Sequence, residues 1–94
     1  MSKSIISNEK ECFVCLTPIN LHRHHIFFGV GNRSKSEEYG CWCYLCDRHH
    51  NMSNEGVHFN LPFDRTLKKY CQERWEGLYG DRKQFIKEFG KSYL

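Results

Sequence analysis

A chain of 94 residues has the length of one domain. At that size a hydrophobic core is small enough that a disulfide or metal staple is often needed. With 39% apolar residues, a mean hydropathy of −0.69 and a net charge of +3, the core is lean and the balance mildly basic, which suits a polyanionic partner without requiring one. No run approaches a membrane span, and the polar start MSKSIISNEKE lacks the apolar stretch of a signal peptide. A cytoplasmic protein with reduced cysteines is therefore expected, with no membrane partner.

Met1 to Glu11 reads as a loose leader. Cys12-Phe13-Val14-Cys15 is a CxxC knuckle, and Thr17-Pro18-Ile19-Asn20 turns the chain after it. Leu21 to Phe28 alternates and carries β-branched and aromatic residues, which predicts a strand. Gly29-Val30-Gly31-Asn32 breaks it, and Arg33 to Glu38 reads as a polar, mixed-charge loop or a single helical turn. Cys41 to Leu45 (CWCYL) predicts a second short strand. A short helix is expected from Cys46 or Asp47 to about Glu55, with Gly56 stopping it. Val57-His58-Phe59 reads as extended or irregular. Asp64 is the expected N-cap of a long helix, Arg65 to Tyr79, with Leu67, Cys71, Trp75 and Leu78 as its buried stripe. Gly80 closes that helix. Asp81 caps another, Arg82 to Phe89, with Phe85, Ile86 and Phe89 inward and Gly90 at its end. Two strands, a short helix and a C-terminal helical pair over residues 64–90 make an α+β fold.

Five of the six histidines fall in two stretches, Leu21 to His25 (LHRHH) and Leu45 to His50 (LCDRHH). Zinc takes four thiolate or imidazole ligands in a tetrahedron, commonly from two short turns. Cys12-x-x-Cys15 is one turn. The other is either Cys46-x-x-His49 or Cys43-x-x-Cys46. The first is favoured, because Cys43 falls within the strand CWCYL, where Cys41, Cys43 and Leu45 share one face as small packing residues. A structural Zn²⁺ at Cys12, Cys15, Cys46 and His49 is thus expected, with Cys71 a buried thiol.

His22, His24, His25, His50 and His58 remain. The constellation His24-His25-Ile26, Leu45-Cys46-Asp47-Arg48-His49-His50 and the knuckle Cys12-Phe13-Val14-Cys15 resembles the HNH endonucleases of phage type, over roughly residues 12–58 of a single domain spanning 1–94. The resemblance implies a ββα-metal (His-Me finger) core and metal-dependent hydrolysis of DNA phosphodiesters, by nicking or double-strand cleavage. It implies His25 as the general base. It also implies His24, His50 and, one helical turn later, Asn54 as ligands of a catalytic divalent ion. His58, eight residues past His50, is a weaker candidate that could ligate only if Gly56 folds the chain back. The imidazole donors leave Mg²⁺, Mn²⁺, Ni²⁺ and Zn²⁺ all open as that ion. The family's central asparagine has no counterpart before the second strand, where the chain reads Glu38-Tyr39-Gly40-Cys41, and Asn32 lies too far upstream. Strand alternation puts His22 and His24 on one face and His25 on the other, so a His22/His24 metal pair is the rival arrangement. The family arrangement needs a bend at the strand end, which Gly29 and Gly31 lie close enough to allow.

Arg23, Arg33, Lys35 and Arg48 flank these histidines and are the expected phosphate contacts to DNA, taken as double-stranded. Lys68, Lys69, Arg74, Arg82, Lys83, Lys87 and Lys91 are interspersed with acids and read as a solvated face. No element reads as a base-reading helix, so specificity is low or comes from a protein partner. The alternatives of another class are a non-catalytic zinc-knuckle DNA-binding module and a zinc-stapled protein-interaction domain.

Overall fold

The computed structural model describes residues 3–7, 9–29, 31–52, 56 and 60–94. Two antiparallel strands, β1 (Leu21–His25) and β2 (Trp42–Cys46), form its sheet, with His22 opposite Leu45, His24 opposite Cys43 and His25 opposite Trp42. Between them runs helix α1 (Asn32–Tyr39). After β2 comes a π-helical turn (Arg48–Met52), then α2 (Leu61–Leu78) and α3 (Arg82–Phe89). The fold is α+β, as the order of sequence patterns predicts. Among the described residues no helix is long and apolar enough to cross a membrane.

β1 is shorter than its apolar run. Ile26 N–H still bonds the Cys41 carbonyl at 2.9 Å, but Phe27 leaves the ladder. Its carbonyl accepts from the Ser36 hydroxyl at 2.6 Å, and its N–H donates to the same oxygen at 3.1 Å. A side chain on α1 thereby replaces the strand partner. The chain bends there, and Phe27 enters an aromatic core at 5.1 Å from Phe85 and 4.7 Å from Phe89, ring centre to ring centre. Trp75 of α2 closes the same cluster, 5.4 Å from Phe85. Cys43 and Leu45 of β2, and Cys41 just before it, are fully buried, as expected.

The expected loop over Arg33 to Glu38 is instead the eight-residue α1. Its inward positions are polar, so no apolar stripe announces it. Ser36 holds Phe27, Asn32 Nδ2 donates to the Phe89 carbonyl at 3.2 Å, and Lys35 Nζ donates to the Glu88 carbonyl at 2.6 Å. Tertiary hydrogen bonds here outweigh weak local propensity. Gly40 ends the helix at φ 76°, and a Cβ there would lie 2.0 Å from the Lys3 carbonyl oxygen.

That close approach comes from the N-terminal segment, which is not a loose leader over its described part. Ile5 N–H bonds the Gly40 carbonyl at 2.9 Å, the Ser4 hydroxyl donates to the Trp42 carbonyl at 2.5 Å, and Ile6 is buried.

α2 begins earlier than expected. Asn60 is the N-cap, accepting from Phe63 N–H at 3.1 Å, and Pro62 sits in the first turn, where its missing N–H costs nothing. Asp64 lies within the helix, buried and paired to Lys68 at 2.8 Å. Leu67, Cys71 and Trp75 are buried, but Leu78 is exposed in the last turn. α3 has the expected Asp81 cap, completed as a capping box by Gln84, and ends at Gly90. Phe85 and Phe89 face inward, whereas Ile86 is exposed. The expected short helix after β2 is a π-helical turn as far as Met52. Its expected extension to Glu55, and the extended Val57-His58-Phe59, lie outside the described residues.

Candidate functional site

The CxxC knuckle is a tight turn held against β2. Cys12 N–H bonds the Thr17 carbonyl at 2.8 Å, Leu16 N–H returns to the Cys12 carbonyl at 2.9 Å, and Phe13 N–H reaches the Tyr44 carbonyl at 2.8 Å. This brings Cys12 and Cys15 to the end of β2, where Cys46 and His49 follow. The donor atoms of Cys12, Cys15, Cys46 and His49 all lie within 4.8 Å of one another. Cys15 and Cys46 sulfurs are 3.7 Å apart. His49 Nδ1 is 3.3 Å from Cys46 Sγ and 3.7 Å from Cys12 Sγ. A tetrahedron with metal–sulfur bonds of about 2.3 Å has sulfur–sulfur edges of about 3.8 Å. These donors fit a metal ion, and soft thiolates with one imidazole suit zinc.

Charge at the knuckle is divided between its thiols: burial raises Cys46, whereas Cys12 is lowered. Burial raises the Cys12 thiol, but the backbone N–H groups of Cys15, Cys46 and Val14 outweigh it and bring the pKa down to about 6. Cys43, the rival ligand, lies outside the cluster. Burial first, and then the nearby charge of Cys12, push its thiol up to about 12, so it stays neutral in the core. Cys71 is the expected buried thiol, raised by its contact with Cys41 and by burial. None of the six cysteines is in a disulfide.

The remaining described histidines converge on the other side of the π-helical turn. His22 and His24 share a face of β1, as alternation requires, and both meet His50. His22 stacks on it with ring centres 5.0 Å apart, and His24 meets it edge-on at 5.5 Å. His22 also bonds the Asp47 carboxylate, and His24 is buried. His25 belongs to the opposite face, yet it borders the same space, because β1 ends there and the chain bends at Ile26 and Phe27. Arg23, His24, His25, Phe28, Arg33 and His50 line a depression of about 270 Å³. The strand-end bend that brings His24 and His25 to one space is therefore present, with Gly29 and Gly31 beyond it at φ 107° and 83°. Asn54 and His58, the other candidate ligands, lie outside the described residues.

Of the four basic residues expected to face DNA, Arg23 and Arg33 border this depression. Arg48 lies elsewhere, beside the knuckle with Cys15 and His49. Lys35 is drawn to α3, with Nζ 3.2 Å from the Glu88 carboxylate. Lys68 does not belong to a solvated face: besides pairing Asp64, its ammonium lies 4.4 Å above the centre of the Phe28 ring.

Sequence reasoning missed Glu37. One carboxylate oxygen is 3.0 Å from His25 Nε2 and the other is 2.5 Å from Arg23 Nη1. Nothing in a polar RSKSEE run singles out one acid, and only the helical phase of α1 aims it at β1. Asn32 is occupied with α3, outside this depression. No family model matches the chain, and comparison with curated proteins and with solved structures returned no match.

Proposed function

We propose that this protein is a metal-dependent DNA endonuclease of the HNH type, in which a zinc knuckle at Cys12, Cys15, Cys46 and His49 staples a ββα-metal core. The observation that carries the reading is the shared depression. Its three histidines come from both faces of a strand end and from a separate turn, and two arginines stand beside them. Isolated surface histidines have no reason to converge in this way.

In this reading His24 and His50 hold the catalytic divalent ion, with Asn54 or His58 as further donors. His22 lies flat on His50 and is bonded by Asp47, so it braces a ligand rather than acting as one. When bound, the ion supplies positive charge that polarises the scissile phosphate and stabilises the leaving 3′ oxygen. His25 takes a proton from water as the water oxygen bonds to phosphorus; the bond to the 3′ oxygen breaks, and that oxygen is protonated from solvent. Arg23 and Arg33 hold phosphate oxygens beside the break. The imidazole donors favour Mn²⁺, Ni²⁺ or Zn²⁺ over Mg²⁺.

Plasmid nicking by the zinc-loaded protein, with each of these four ions added in turn, tests the reading. Conversion of supercoiled DNA that depends on added ion is expected. Binding of DNA without cleavage under all four ions would overturn it in favour of a zinc-knuckle binding module.

A further inference from the structure

Resting on that reading, we propose that Glu37 is the positioning residue for His25. Its carboxylate accepts the Nε2–H of the imidazole, which leaves Nδ1 as the bare nitrogen turned to the attacking water. The geometry is that of a clamp. One oxygen of Glu37 is 3.0 Å from His25 Nε2 and the other is 2.5 Å from Arg23 Nη1, so a single carboxylate ties together two side chains of β1. Each is restrained a second time. The Arg23 guanidinium lies 3.8 Å above the Trp42 ring, and His25 is paired opposite Trp42 in the sheet. The backbone that carries Glu37 is anchored at the preceding residue, Ser36, whose hydroxyl binds both backbone groups of Phe27.

A neutral imidazole has one N–H and one bare nitrogen, and a hydrogen bond at one nitrogen decides which is which. A carboxylate can only accept. Glu37 therefore selects the Nε2–H tautomer, and Arg23 holds the other carboxylate oxygen.

The test uses the zinc-loaded protein without other divalent ion, and long-range proton–nitrogen NMR of its histidines at a pH where His25 is neutral. Wild type is expected to hold His25 as the Nε2–H tautomer. Glu37→Leu should give a mixture of tautomers, and Glu37→Gln, which keeps an acceptor oxygen, should restore the wild-type pattern. In cleavage, Glu37→Leu should lower kcat by about 10- to 100-fold without raising KM for DNA. Placed in a His25→Ala background, it should cost nothing further, because the two residues act as one unit. A merely structural ion pair would instead lower activity equally in both backgrounds. An Nδ1–H tautomer in wild type overturns the proposal with no variant needed, so a Glu37→Leu protein that fails to fold leaves it falsifiable. Wild-type kcat in a folded Glu37→Leu protein overturns it as well. A chain that never cleaves DNA, yet shows Glu37 setting the His25 tautomer, contradicts the nuclease reading and supports the clamp.

Discussion

Neighbouring residues in this chain have different surroundings, and each pair is a test. His49 completes the knuckle, while the next residue, His50, turns toward His24. His49→Ala should lose the structural metal and the fold, because metal binding at such sites is folding free energy. His50→Ala should stay folded and zinc-bound but lose cleavage. Zinc content, circular dichroism and nicking of the two variants decide it, and like behaviour in both would contradict the division. Cys43 and Cys46 make a second pair. Cys46→Ser should unfold the domain, whereas Cys43→Ser removes no ligand and costs only the burial of a hydroxyl, about 1–3 kcal/mol. The knuckle also sets a pH limit. The folded Cys12 thiol sits at about 6, well below its ordinary 9. A depressed value means that the thiolate's contribution is full above 9 and is lost as pH falls through 6. Protons compete with the ion for these thiolates, so zinc affinity, followed with a chromophoric chelator, should fall steadily as pH is lowered, with the bound ion holding the thiolates ionised below the metal-free value. A zinc affinity that does not change with pH would contradict it.

At the scale of elements, what was legible followed from pattern. The two strands announce themselves by alternation between turn signals, although the Ile26-Phe27-Phe28 run that marks the first lies past its end, and α3 by Asp81, Gly90 and the spacing of Phe85 and Phe89. Spacing narrows the knuckle ligands to two sets, and the place of Cys43 within a strand chooses between them. The illegible parts are those held by long-range polar contacts. α1 has no apolar stripe, and its anchors Asn32, Lys35 and Ser36 find their partners only once α3 and the bend at Phe27 exist. For the same reason Glu37 could not be picked from its neighbours. The cap of α2 was misplaced because Asp64 is a good cap residue by type, while Asn60 stands before Pro62 at the true start. Stability should follow the structure. Asn60→Ala should cost about 1 kcal/mol as a lost N-cap. Phe27→Ala, at the centre of the aromatic cluster, should cost about 3–5 kcal/mol. Urea denaturation of the two variants measures both, and equal costs would show that the cluster is not the main core.

On the scale of the whole molecule, one short sheet serves two centres. The end of β2 carries the knuckle, and the end of β1 opens onto the histidine depression, with the π-helical turn between supplying His49 to one and His50 to the other. The aromatic cluster formed with α2 and α3 supports the bend that lets His24 and His25 face the same space. Stripping the structural metal should therefore abolish the depression along with the knuckle. Ion added back for catalysis alone, with Cys46 replaced, should not restore cleavage. The most direct test of the central claim is the single-turnover rate of plasmid cleavage at saturating divalent ion for wild type, His22→Ala and His25→Ala, with DNA affinity measured alongside. The expected result is a loss of about 10²- to 10⁴-fold for His25→Ala with DNA binding unchanged, and a smaller loss for His22→Ala. Cleavage by His25→Ala at the wild-type rate, with His22→Ala inactive, would contradict it and assign the chemistry to the His22/His24 face.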